Sequence, residues 1–379
     1  MQVRQCVITT GFDVRQTCRT LSDLAPNLVL VFGSPAYFRG NSALADLQAT
    51  FPQAELLGCS TAGEISATGV TSGSCVVTAV RFEKTRLAGA SAMVAPDGDG
   101  FAAGLAIGRQ LQAPDLRAIL VVCPGVRING SAVVRGIAAE VPGIPVNGGL
   151  AGDDAAFQQT YTLGRNTVGE HGVHAIGLYG DDLTHGQGSF GGWKPFGPAR
   201  RVTRCADNIL YELDGSPALD VYKKYLGAHA SNLPASGLYF PFDMLDEAQR
   251  PVGLIRTILG VDETAGSLIL AGDIDPHGYL RLMHADLAGL VDGAATAARH
   301  AVDDHGVTGQ SLALLVSCVG RKLVMGDQVG SEIAAVTRVI GPSAISAGFY
   351  SYGEIGSVSG GINCQLHNQT MTLTLIGER

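Results

Sequence analysis

At 379 residues, with 46% hydrophobic and 16% charged residues, the chain is long enough to bury two cores of ordinary size and has the composition of a globular protein. A formal net charge of -8, with no basic face in the spacing of its lysines and arginines, disfavours nucleic acid, and no nucleic-acid partner is expected. The eight cysteines are scattered without a C-x-x-C pair, the N-terminus lacks a signal-peptide core, and the longest apolar run, 118–123, is far short of the ~20 residues a membrane helix needs; reduced thiols, a cytoplasmic location and no membrane contact are expected.

In chain order, a short helix is predicted over 13–21 and a strand buried on both faces over 28–32 (LVLVF). A helix over 42–50 and a strand over 55–57 lead into a glycine turn. A strand over 74–82 comes next, with 86–95 predicted to pair with it, and a helix over 100–111 closes the first cycle. The second cycle repeats the order: strand 118–123, helix 131–140, strand 144–146, a glycine turn, strand 172–179. From 184 to 200 the chain reads as a long polar-aromatic loop holding Trp193, the only tryptophan, and a loop of that length is expected to cover something. A helical stretch over 208–226 breaks at Asp214-Gly215-Ser216-Pro217, where Ser216 offers an N-cap and Pro217 the first helical position; the domain boundary is placed at that break. Strands over 252–259, 267–271 and 279–283 and a helix over 286–300 lead to a third cycle: strand 311–317, helix 331–339, strand 344–348, a glycine turn and the last strand 370–376. The predicted fold class is α/β, two sheet-containing domains built from repeated β-α-β units with internal duplication.

The glycine turns carry the duplication. Gly58-Cys59-Ser60-Thr61-Ala62-Gly63-Glu64-Ile65 and Gly348-Phe349-Tyr350-Ser351-Tyr352-Gly353-Glu354-Ile355 both read G-x-x-x-x-G-E-I, and a reduced third copy sits at 147–153, NGGLAGD. A phosphate loop of this spacing needs Lys then Ser or Thr after its second glycine; Glu64 and Glu354 place an anion there, which repels phosphate and suits a ligand amine, a backbone donor or an arginine such as Arg321. The competing reading is that the glycines serve only left-handed backbone angles and each glutamate caps the next segment. The G-x-G-x-x-G at 186–191 is followed by Trp193 and two prolines instead of a helix, which rules out dinucleotide binding, and neither a G-x-S-x-G elbow nor H-E-x-x-H occurs.

Cys318 ends an apolar strand and is followed by Arg321 and Lys322, two cations expected to favour its thiolate; a small buried hydrophobe is the plainer alternative. His367, before the last strand, and His174, inside a predicted strand, are the histidines placed to reach a cavity as metal or haem ligands, with a backbone-bonding turn histidine as the alternative for His367. The expected pocket lies between the two domains, with Gly58, Ser60, Thr61, Glu64, Trp193, Cys318, Arg321, Tyr350, Tyr352, Glu354 and Asn368 facing the ligand.

LLGCSTAGEIS at 56–66, GGLAGD at 148–153, YELDGSPALDVYKKYLG at 211–227, SCVGRK at 317–322, GFYSYGEI at 348–355 and LHNQTM at 366–371 together resemble a FIST protein. The resemblance covers nearly the whole chain and implies a FIST N domain over 1–213 and a FIST C domain over 214–379. It implies a non-enzymatic intracellular sensor of small molecules such as amino acids, coupled to signalling proteins. GGWKPFGPARRVTR at 191–204 is similar to a bacterial subgroup that binds haem and senses nitric oxide, regulating a histidine kinase or cyclic-di-GMP enzyme. On that resemblance the first expectation is haem with nitric oxide, the signal leaving through a separate partner because the chain ends at Arg379 without an output region. An amino-acid or other small-molecule sensor, an enzyme with Cys318 as nucleophile and His367 as base, and a ligand-free scaffold stay open, as does a homo-oligomer.

Overall fold

The computed structural model describes residues 1–9, 14–40, 42–94, 100–305, 309–357 and 364–379. Asp13 and Ala95, the outermost residues of two predicted elements, lie outside the described residues.

Three lobes repeat one path. The first runs β1 (Gln2–Ile8), the short helices α1 (Val14–Thr17) and α2 (Arg19–Ser22), β2 (Leu28–Gly33), α3 (Ser42–Thr50), β3 (Glu55–Ser60), the hairpin β4 (Glu64–Ser66) and β5 (Gly69–Thr71), and β6 (Cys75–Arg81). The second runs β7 (Arg86–Met93), α4 (Gly100–Leu111), β8 (Leu116–Cys123), α5 (Gly130–Glu140), β9 (Val146–Leu150), the hairpin β10 (Thr162–Gly164) and β11 (Val168–Gly169), and β12 (Gly172–Tyr179). The third opens with β13 (Leu183–Phe190) and is then interrupted by an inserted body: β14 (Lys194–Pro195), β15 (Arg200–Ala206), β16 (Ile209–Leu213), β17 (Ser216–Pro217), α6 (Ala218–Leu226), β18 (Phe242–Leu245), β19 (Pro251–Arg256), β20 (Ile258–Asp262), β21 (Ser267–Leu270) and β22 (Tyr279–His284). It resumes with α7 (Leu287–His305), β23 (Ser311–Cys318), α8 (Val319–Met325), α9 (Gly330–Ile340), β24 (Ala344–Ser351), the hairpin β25 (Gly353–Ser357) and β26 (Cys364–His367), and β27 (Met371–Glu378). The predicted α/β class, with sheet-containing bodies built from duplicated β-α-β units, is what the chain adopts.

The sheets show how the lobes interlock. Their orders are β1-β6-β2-β3-β10-β11, β7-β12-β8-β9-β25-β26 and β13-β27-β23-β24-β4-β5. In each, an edge strand, an antiparallel strand and a parallel pair come from one lobe, and the last two places are filled by another lobe's hairpin. The chain crosses over at the glycine turns, where three backbone bonds form a cycle: Ala62 N to Tyr350 O at 2.8 Å, Tyr352 N to Leu150 O at 3.3 Å, and Gly152 N to Ser60 O at 2.8 Å. Gly58, Gly148 and Gly348 lie directly over the Val31, Val121 and Leu315 carbonyls of the neighbouring parallel strand, where any Cβ would overlap the oxygen. The glycines of all three turns are therefore needed for close approach of two backbones.

Two local readings change. The strand at 86–93 pairs with β12 instead of β6, because β6 is already flanked by β1 and β2. The stretch 183–190 is a strand and not a loop; Gly188 sits under Ala297 of α7, and the absence of a side chain there lets the helix lie on the strand. Residues 209–213 form a strand, the Asp214-Gly215 bend takes positive φ at both residues, and α6 starts at Ala218 with Pro217 as its N-cap, so Ser216 does not cap it.

Candidate functional site

The two G-E-I turns have matching internal chemistry. Thr61 Oγ1 donates to Glu64 Oε1 at 2.5 Å, while Ser74 donates to Oε2 through its backbone N and Oγ at 3.0 and 2.7 Å. Ser351 Oγ donates to Glu354 Oε1 at 2.8 Å, and Thr370 donates to Oε2 through N and Oγ1 at 3.1 and 2.8 Å. Each glutamate thus ties its turn to the residue that precedes its lobe's last strand, and both are fully buried. In the third copy Asp153 accepts from the backbone N of Phe157, Gln158 and Gln159 at 2.8 Å each and from Tyr352 OH, whose ring stacks on Phe157. Ser60 Oγ donates to Gly152 O at 2.7 Å and accepts from Tyr161 N. Gly58, Ser60, Thr61, Glu64, Tyr352 and Glu354 do converge with Tyr350 where the lobes cross, but as clamps: Glu64 and Glu354 line none of the four described cavities.

Burial raises the Glu354 carboxyl to about 8, against the pull of the Thr370 and Ser351 donors and the Arg321 charge. The folded protein therefore keeps a proton that the unfolded chain, at the ordinary 4.5, has released. The stability this group contributes is full below about pH 4.5 and is lost as pH rises toward 8. Urea midpoints at pH 5.5 and 8 are expected to fall more steeply for the wild type than for Glu354→Gln; parallel midpoints would refute the shift.

Around Cys318 the expected cations are spoken for. Arg321 is fully buried and donates to Glu332 Oε2 from Nε at 3.1 Å and Nη2 at 2.7 Å, to Leu290 O at 2.8 Å and to Gly191 O. Glu332 also accepts from Tyr350 OH at 2.6 Å and Ser317 Oγ at 3.0 Å. Lys322 reaches Ala62 O at 2.6 Å and Ser72 Oγ at 2.9 Å. Arg321 is thus no partner for Glu64 or Glu354. Burial first, then the Glu354 charge, push the Cys318 thiol well above its ordinary range, with Arg321 only a minor opposing influence. This corrects the expectation of a favoured thiolate: neutral-pH iodoacetamide should label Cys318 far more slowly than a free thiol, and rapid labelling by peptide mapping would contradict it. Trp193 Nε1 donates to Gln369 O at 2.8 Å, and its ring packs among Ile255, Met283, Leu290 and Met325, so it pins the inserted body to the third lobe.

The bend at 367–369 is a buried polar knot. His367 is 1% exposed, its Nε2 is 3.2 Å from Gly356 O, and its Nδ1 has no hydrogen bond among the described residues. Asn368 is fully buried with both amide atoms unpaired among those residues, as is Gln369 Oε1. His174 is tied through Nδ1 to Ser91 Oγ at 2.8 Å. It lines a cavity of about 330 Å³ between the first two sheets with Glu55, Gln110 and Arg165. Burial lowers both histidines to about 4, so both are neutral near pH 7. Haem does not fit either ring: His367 is sealed and lines none of the described cavities, and both ring nitrogens of His174 already have partners, Nδ1 at Ser91 Oγ and Nε2 at Thr167 Oγ1, 3.5 Å away. No group of three metal-binding side chains occurs among the described residues.

A cavity of about 400 Å³, within the range of small-molecule sites, opens between α5, β9 and β26 of the repeated lobes and β18, β19 and the residues after β21 of the inserted body. Arg256 lines it, 3% exposed. Its Nε donates to Asp273 O at 2.9 Å and its Nη1 to Ile255 O and Leu366 O at 3.1 Å each; Nη2 makes no hydrogen bond and no carboxylate pairs with the guanidinium among the described residues. Burial alone lowers its pKa to about 10, and it remains cationic at neutral pH. Ser131 Oγ, buried and without a hydrogen bond among the described residues, faces the same point, since Arg256 Cζ and Ser131 Oγ both flank Gly272. Asp273 at the rim is held by Asn129 Nδ2 at 2.8 Å and by Arg135. Sequence reasoning missed Arg256, Ser131 and Asp273; the available signal was an arginine inside the apolar strand VGLIRTIL.

The FIST N domain family model matches residues 27–216 and the FIST C domain model residues 218–357, and the chain belongs to the FIST family, a small-ligand-sensing class in signalling. No curated protein matches. Among solved structures the chain is similar to the crystal structure of cyanuric acid hydrolase from A. caulinodans, with 10% identity and a TM-score of 0.41 over 100% of this chain and 99% of that one. Among the described residues no helix is long and apolar enough to cross a membrane.

Proposed function

We propose that this protein is a non-enzymatic cytoplasmic sensor of a small carboxylate-bearing molecule, amino acids included, held on Arg256 in the cavity between the inserted body and the repeated lobes. The observation that carries the reading is a guanidinium 3% exposed, facing a cavity and lacking an anionic partner among the described residues. An uncompensated buried ion costs several kcal/mol, and a ligand carboxylate on Nη2 and Ser131 Oγ removes that cost. Arg256 also bridges to Leu366 O, and Asp273 to Asn129 and Arg135, across the seam of the two bodies. Occupancy therefore acts on the contacts that dock the inserted body, a route to a separate histidine kinase or cyclic-di-GMP enzyme.

Calorimetry against small carboxylates, amines and neutral molecules of similar size tests the reading: carboxylates bind and the others do not. Binding confined to amines or neutral molecules, or absent throughout, would overturn it. Titration with haem is expected to leave the Soret band of free haem unshifted; a shift that His367→Ala or His174→Ala abolished would restore the haem and nitric oxide reading.

A further inference from the structure

Away from that cavity, two thiols of the first lobe stand in contact. Cys6 lies on the edge strand β1, half-buried, and Cys18 is fully buried at the N-cap of α2. Their Sγ atoms are 2.9 Å apart. A disulfide needs about 2.05 Å, so the two sulfurs have to close by only about 0.9 Å. The hydrogen bond between the two sulfurs holds the Cys6 thiol below its usual range, while the same contact and burial push Cys18 well above it. The partly accessible member is thus the better nucleophile, with a sealed neighbour placed behind it.

We propose that Cys6 and Cys18 form an oxidisable pair that closes to a disulfide on reaction with a hydroperoxide. The Cys6 thiolate attacks the peroxide, the O–O bond breaks, and the distal oxygen leaves as an alcohol or water after taking up a proton, giving Cys6 sulfenic acid. The Cys18 sulfur then attacks the Cys6 sulfur, the S–O bond breaks, and the hydroxide departs as water with the Cys18 proton. Two electrons pass from the two thiols to one peroxide. The product staples β1 to the turn between α1 and α2.

Trypsin separates the two cysteines into peptides 5–15 and 16–19, so the bond is directly readable. After equimolar hydrogen peroxide and blocking with N-ethylmaleimide, the intact protein should yield these peptides cross-linked, lighter by two hydrogens, and dithiothreitol should release them. In Cys18→Ser, Cys6 should stop at a sulfenic acid that dimedone traps, while Cys205→Ser should behave as wild type. Recovery of Cys6 as its maleimide adduct, its conversion to sulfinic acid without a cross-link, or a bond to another cysteine would overturn the proposal.

Discussion

Replacing Arg321 with methionine should lower the stability of the fold by about 3–5 kcal/mol, the loss expected when one partner of a buried ion pair is removed. Arg321 and Glu332 are both fully buried and 2.7 Å apart. Without the guanidinium, Glu332 keeps only the Tyr350 and Ser317 hydroxyls, too little to hold an ionised carboxylate out of water. Three elements also lose their common donor, since Arg321 on α8 reaches the Leu290 carbonyl of α7, Glu332 of α9 and Gly191 of the loop after β13. Urea denaturation checks the figure. The double variant Arg321→Met, Glu332→Gln should recover part of the loss, because the amide leaves no charge uncompensated; a double variant as unstable as the single one would show that packing is the cause.

Arg256→Gln tests the sensor reading. It should weaken carboxylate binding by about 2–5 kcal/mol, roughly thirty-fold or more, as for truncation of one member of a desolvated charge pair. Its stability cost should be far smaller than that of Arg321→Met, since loss of bonds to three carbonyls is offset by removal of an unpaired buried cation. Calorimetry and denaturation on the same preparation separate the two effects. An Arg256→Gln protein that binds as wild type would remove the guanidinium from the site, whereas one that fails to fold would mark it as structural.

Much of the fold was legible because buried parallel strands leave continuous apolar runs: 28–32, 118–123 and 311–317 lie within β2, β8 and β23. The glycine turns were legible as repeats, since two backbones touching at Gly58, Gly148 and Gly348 exclude every larger residue. The letters did not reveal that each hairpin joins another lobe's sheet, because strand exchange leaves the period of the pattern unchanged. The site was harder to read. Glu64 and Glu354 drew notice by their repetition, yet their donors, Ser74 and Thr370, lie 10 and 16 residues further on, where no motif connects them. Arg256 comes from the inserted body and Ser131 from the second lobe, and only the packing of the two places them together.

The exchange of hairpins has a consequence for ancestry and for fragments. One lobe by itself would carry a four-stranded sheet with a bare edge and a two-stranded arm with nothing to join. Three identical copies of such a unit arranged about a triad axis would each cover the open side of a parallel pair with a neighbour's arm, so the covalent chain has the layout of a ring-shaped homotrimer whose subunits are joined end to end. By the same logic, severed pieces of this polypeptide should regain order only when mixed.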